Sequence, residues 1–248
     1  MKYSKAPVSE VILGINYGIN KIPVDELFRV SAMFSEEFPG VEICPPLVLE
    51  VLNGFRLQPM TVDIGAGPFL VRRRTSDARW LLQIQSNKIY LNWIRKDDEP
   101  VGVYNGFSEV KERFAAIRKK VSEVVDVEMD HLMYELSYHD RVEWQDIIPD
   151  ISQINNIMNV KPPPKFFQEG YNNLFSRYTY HASEIGGYGL LGISTDTSVS
   201  QKQVIRVESN LIGIIPQKTF DEWISIAHQK QHIVFENCFN EKLRDSWK

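Results

Sequence analysis

The chain has 248 residues, 43% hydrophobic and 24% charged, a composition of globular rather than disordered proteins. Its 28 basic and 32 acidic side chains leave a formal net charge of −4, which disfavours a non-specific polyanion binder. The balance is uneven, with 17 basic and 16 acidic residues in 1–127 against 11 and 16 in 128–248, so an acidic ligand would be sought in the first half.

Cys44 and Cys238 stand far apart and make no disulfide framework; both read as buried free thiols. The N-terminal stretch lacks an apolar core of signal-peptide length, and no apolar run reaches the roughly 18 residues of a membrane span. The expectation is a soluble, cytoplasmic protein with no membrane contact.

In chain order, Val11, Leu13, Ile15 and Tyr17 alternate with their neighbours, predicting a strand over 8–17. Pro23, Asp25 and Glu26 then open a helix whose apolar stripe is Leu27, Val30, Phe34 and Phe38, ended by Pro39-Gly40. Residues 69–94 read as a meander. Trp80, Leu82, Ile84, Ile89, Leu91 and Trp93 mark its inward face, and turns fall at Thr75-Ser76-Asp77 and Ser86-Asn87. A long helix follows Asn105-Gly106, with Phe107, Val110, Phe114, Ile117, Val121 and Val124 on one stripe.

The element order then repeats. Leu132, Tyr134, Leu136 and Tyr138 alternate as a strand, and 149–158 reads as a short helix. Lys161-Pro162-Pro163-Pro164 is a stiff connector, and strands are expected at 173–181, 187–195, 202–208 and 211–215. A capping box at Thr219 and Glu222 opens a last helix running to about Leu243. The fold class is therefore α+β. It comprises two similar lobes, 1–127 and 128–248, each reading strand, helix, strands, long helix, with an antiparallel sheet, helices packed on one face, and a pseudo-twofold duplication. The TATA-binding-protein fold has the same doubled order, an analogy of architecture without functional content.

Short stretches spread along the whole chain carry a resemblance. They are Pro7-Val8-Ser9-Glu10-Val11, Leu82-Gln83-Ile84-Gln85, Asn92-Trp93, Tyr104 with Gly106-Phe107, Leu136-Ser137-Tyr138, and Ala227-His228 with Phe235, Leu243 and Trp247. In that order they resemble a family of sporadically distributed, uncharacterised bacterial and archaeal proteins of about this length. Ala6 and His139 depart from the usual pattern. The patchy distribution implies genes on mobile or defence-associated islands, and with it a role in phage defence or a toxin–antitoxin-like pairing.

Chemistry-bearing constellations are sparse. His228, His232 and Glu236 recur at helical spacing, but the zinc-protease glutamate is missing from between the histidines, so no metal is expected. The glycines of 186–192 run into a strand-like stretch rather than a helix, so they mark a turn and a close approach rather than a phosphate loop. Arg72, Arg73, Arg74 and Arg79 suit phosphate binding by type, but alternation puts Arg73 on the opposite face. No catalytic set stands out, and no cofactor is implied.

The reading is a non-enzymatic binding or interaction protein, the partner or sensor component of a mobile-element or phage-defence system. A protein partner, encoded by a neighbouring gene, is expected; nucleic acid is disfavoured by charge. The alternative is a nucleotide or nucleic-acid-processing enzyme using His and carboxylate residues on the open sheet face. The expected binding residues lie on the face away from the helices: Arg72, Arg74, Gln83, Gln85, Tyr90, Asn92, Arg177 and His181.

Overall fold

The computed structural model describes residues 3–17, 22–47, 50–53, 56–59, 69–125, 133–145, 147–159, 175–197, 202–215 and 218–248. In chain order the first elements are β1 (Val8–Asn16), α1 (Val24–Ala32), β2 (Gly40–Cys44), β3 (Glu50–Asn53) and β4 (Arg56–Pro59). They are followed by β5 (Leu70–Arg74), β6 (Trp80–Gln85), β7 (Lys88–Ile94) and α2 (Phe107–Ser122). Then come β8 (Met133–Glu143), a 3₁₀ turn (Ile151–Asn156), β9 (Phe175–Ala182), a second 3₁₀ turn (Ser183–Ile185), β10 (Gly187–Thr197) and β11 (Gln203–Gly213). Two helices, α3 (Phe220–Cys238) and α4 (Glu241–Asp245), close the chain. The result is a mixed α+β fold.

Nine of these strands form one antiparallel sheet in the order β2-β5-β6-β7-β1-β8-β11-β10-β9, and β3 pairs with β4 in a separate hairpin. Antiparallel partners share a face, so the register can be followed across the sheet. One row runs Arg73, Leu82, Leu91, Leu13, Leu136, Leu211, Gly189 and Tyr180. The neighbouring row on the other face runs Arg72, Gln83, Tyr90, Gly14, Glu135, Ile212, Tyr188 and His181.

The first face is apolar because the helices lie on it. Val110, Phe114, Ile117 and Val121 of α2 join Phe220, Trp223, Ile224 and Ala227 of α3 in one core with Leu13, Ile15, Leu82, Leu91, Tyr134 and Leu136. The two helices meet through Phe114 and Phe220, whose ring centroids are 5.6 Å apart. A second core gathers Ile193, Ile205 and Val207 of the sheet with Ile154, Phe239, Leu243 and Trp247. The α3 N-terminus has the expected capping box, with Thr219 and Glu222 bonding each other's backbone N–H. Among the described residues no helix is long and apolar enough to cross a membrane.

Four local expectations are corrected. The strands expected at 202–208 and 211–215 are one strand, since Glu208, Ser209 and Asn210 stay in the ladder with His139, Tyr138 and Ser137. The last helix breaks at Phe239, which turns extended to bridge Met158, and Asn240 caps a new helix by accepting from the Leu243 N–H. The first helix ends at Ala32, and a turn carries Phe34 and Phe38 into the core instead. Strand β2 was missed; its residues are nearly all exposed at the sheet edge, so no alternation marks them. Leu132 and the Lys161–Pro164 connector lie outside the described residues.

Candidate functional site

The sheet face away from the helices carries the residues expected to bind. Gln83, Gln85, Tyr90 and Asn92 are on that face, yet none is more than 6% exposed. Leu47 covers Gln85: its N–H donates to Gln85 Oε1 at 2.9 Å, and its carbonyl accepts from Gln85 Nε2 at 3.2 Å and Lys88 Nζ at 3.0 Å. Gln85 is thereby fully enclosed and also donates to Asn87.

Beside it lies a pocket of about 440 Å³ that brings together Arg72, Arg74, Gln83, Tyr90 and Asn92. Their polar groups bond one another in sequence across five strands. Arg72 Nε donates to Gln83 at 3.1 Å, Gln83 Nε2 to Asn92 at 3.1 Å, and Asn92 Nδ2 to Glu10 at 2.6 Å. The second Glu10 oxygen meets His139 Nδ1 at 3.1 Å. Burial pushes the Glu10 carboxyl up, but His139 and Asn92 outweigh it and hold the acid below its usual range. Burial likewise pulls the His139 imidazole down, and Glu10 more than reverses this, so His139 stays protonated to higher pH than an exposed histidine.

A second node forms at Glu135, which accepts from Tyr90 at 2.9 Å, Asn210 at 3.0 Å and Ser137 at 3.3 Å. Burial raises its carboxyl despite these donors. The arrangement suits holding six strands in register, because Arg72, Gln83, Asn92, Tyr90 and Asn210 each donate to an acceptor on another strand.

Arg177 and His181 share this face but sit on β9, at the far edge, where both are exposed. His181 packs edge-on against Tyr188, with ring centroids 5.7 Å apart. Phe175 and Tyr188 are 76% and 38% exposed on the same face, and Tyr178 is 47% exposed on the other face of β9. The arginines weighed for phosphate binding divide as alternation requires. Arg73 turns to the helix side and donates to Ser31 and the Phe38 carbonyl, while Arg79 forms a two-pronged pair with Glu99. Gly186 closes a turn and β10 begins at the next residue, so no helix follows the glycine run.

The helix side holds a feature that sequence reasoning did not assemble. A cleft of about 510 Å³ lies between α3, the start of α2, the N-terminal segment, and strands β8 and β11. His228 and His232 line it, with ring centroids 4.6 Å apart, and His228 stacks on Phe107 at 4.3 Å. Burial and the neighbouring His232 push the His228 imidazole down to about 4, so it is neutral at ordinary pH. Glu236 accepts from the Tyr3 hydroxyl at 3.4 Å. No group of three or more metal-type ligands occurs among the described residues.

Tyr104 and Tyr138, 3.3 Å apart at their hydroxyls, form another wall, and burial raises both phenols. Asp140 lies deeper, its carboxyl pushed up to about 7 by burial against the opposing charges of His139 and Arg95. Cys238 also lines the cleft, buried as expected, and burial raises its thiol to about 12, which leaves it unreactive. Cys44 is half-buried at the end of β2. No protein-family model, curated protein or solved structure matches this chain.

Proposed function

We propose that this chain is a non-enzymatic binding protein that presents the β9–β10 end of its open sheet face to a protein partner. The observation carrying this reading is the contrast along that face. At the β7 end the polar side chains are buried and bonded to one another; at the β9 edge Phe175, Arg177, His181 and Tyr188 stand exposed together. Exposed aromatic area beside arginine and histidine on an edge strand is the composition of a protein-binding surface. The nucleotide-processing alternative would draw on the carboxylates of this face, of which Glu10 and Glu135 are engaged by donors while Glu208 and Asp196 are exposed.

The resemblance to sporadically distributed proteins supports assigning the partner to a neighbouring gene of a mobile-element or phage-defence system, in the cytoplasm. We further infer an internal duplication of lobes 1–127 and 128–248, with pseudo-twofold symmetry between β1 and β8. Its support is the strand order, since β1-β7-β6-β5 runs outward from the centre as β8-β11-β10-β9 does.

The test is capture from cells that encode the protein, comparing wild type with the Arg177→Glu/Tyr188→Ala double variant at matched thermal stability. A specific protein retained by wild type and lost by the variant supports the reading; equal retention overturns it. Tyr90 is unsuitable as a probe of this surface, because its truncation would disturb the buried network.

A further inference from the structure

The cleft on the helix side has an unusual floor. Asp140 of β8, Ser209 of β11 and Gln231 of α3 line it, and each is at most 5% exposed. Among the described residues, Asp140 Oδ1, Ser209 Oγ and Gln231 Oε1 have no hydrogen-bond partner. Gln231 is held rigidly, since its amide nitrogen donates to the Leu136 carbonyl at 2.9 Å and the Ser209 carbonyl at 3.0 Å. Both amide hydrogens are thereby used, and its oxygen is left as a fixed acceptor. Buried polar atoms without a protein partner are rare in folded proteins, so this floor is a place suited to receive a ligand's polar groups. Above the floor the walls are aromatic, supplied by Tyr104, Phe107, Tyr138 and Phe235. At the α2 end, no described residue other than the two chain neighbours of Gly106 has an atom within 4 Å of where its side chain would begin.

We propose that this cleft binds a small planar aromatic molecule whose edge carries adjacent N–H donors. The ring lies among the aromatic walls, and the donor edge faces the Asp140 carboxylate and the Gln231 oxygen. Two sources share this chemistry, an aryl amidine and a guanine-type base, because both offer paired N–H groups to a carboxylate. A volume of about 510 Å³ accommodates either. The site is independent of the partner surface, since it is lined from the opposite side of the sheet.

The experiment is calorimetric titration of the whole chain with benzamidine, guanosine and, as a ring without donors, benzoate. Saturable binding of benzamidine or guanosine, absent with benzoate and weakened at least tenfold in Asp140→Asn, supports the proposal. Which of the two binds then separates amidine from nucleobase. Ser108→Trp supplies a second variant, because Ser108 is exposed at the mouth of the cleft and its replacement leaves the core intact. It is expected to abolish the same binding. Failure of both donor probes to bind wild type, or binding undiminished in either folded variant, overturns the proposal.

Discussion

Tyr90 and Glu135 are joined across strand β1: the Tyr90 hydroxyl on β7 donates to the Glu135 carboxylate on β8 at 2.9 Å, passing over Gly14. A Cβ at position 14 would lie 1.9 Å from the Tyr90 ring. The absence of a side chain there therefore allows the two halves of the open face to bond directly. Gly14→Ala is expected to lower stability by about 1–3 kcal/mol through overpacking. In Gly14→Ala/Tyr90→Ala the clash is gone, so urea unfolding is expected to show a loss smaller than the sum of the single variants.

Asp140 opposes stability at high pH. Its carboxyl rises from 3.8 to about 7 on folding, so the folded chain holds a proton that the unfolded chain has released. The contribution is most favourable below the unfolded value and is lost as pH rises through about 7. Asp140→Asn removes this dependence. Its stability relative to wild type is expected to increase between pH 4 and pH 8 by an amount on the order of 4 kcal/mol, readable by denaturant titration at each pH.

The Glu10–His139 pair behaves differently. Raised His139 contributes stability that is present below 6.5 and lost as pH rises through its folded value. Lowered Glu10 contributes stability present above 4.5 and lost as pH falls through its folded value. The difference between wild type and His139→Gln is therefore expected to be largest between these limits and to shrink on both sides, with the imidazole titration followed by NMR.

The break between α3 and α4 depends on Asn240, whose side chain accepts from Leu243 and donates to the Asn156 carbonyl. Asn240→Ala is expected to cost about 1 kcal/mol of stability from the lost cap. Its thermal transition should fall while the Phe239–Trp247 packing, 5.1 Å between centroids, keeps the fold.

The period-two patterns of 80–85 and 89–93 assign the side chains there to their faces, because alternation is fixed by the pleat. That the outer face would be buried was not legible. Gln85 is covered by Leu47, 38 residues before it, through backbone groups that no side-chain pattern encodes. The cleft was hidden for a related reason, since Tyr104, Asp140, Ser209 and Gln231 come from four separate stretches. One signal was present: Gln231 follows Trp223 and Ala227 at four-residue spacing, a polar residue on the buried stripe of α3. The break expected at Ser209-Asn210 is absent from β11, because ladder pairing on both sides overrides local preference.

Binding of a protein partner at the β9–β10 end of the open face is read out by hydrogen exchange on the captured complex. Protection of Phe175–Ala182 and of the Tyr188 region of β10 on partner binding, with α2 and α3 exchanging as in the free chain, is the predicted result. Unchanged exchange along β9, with protection elsewhere, would contradict it.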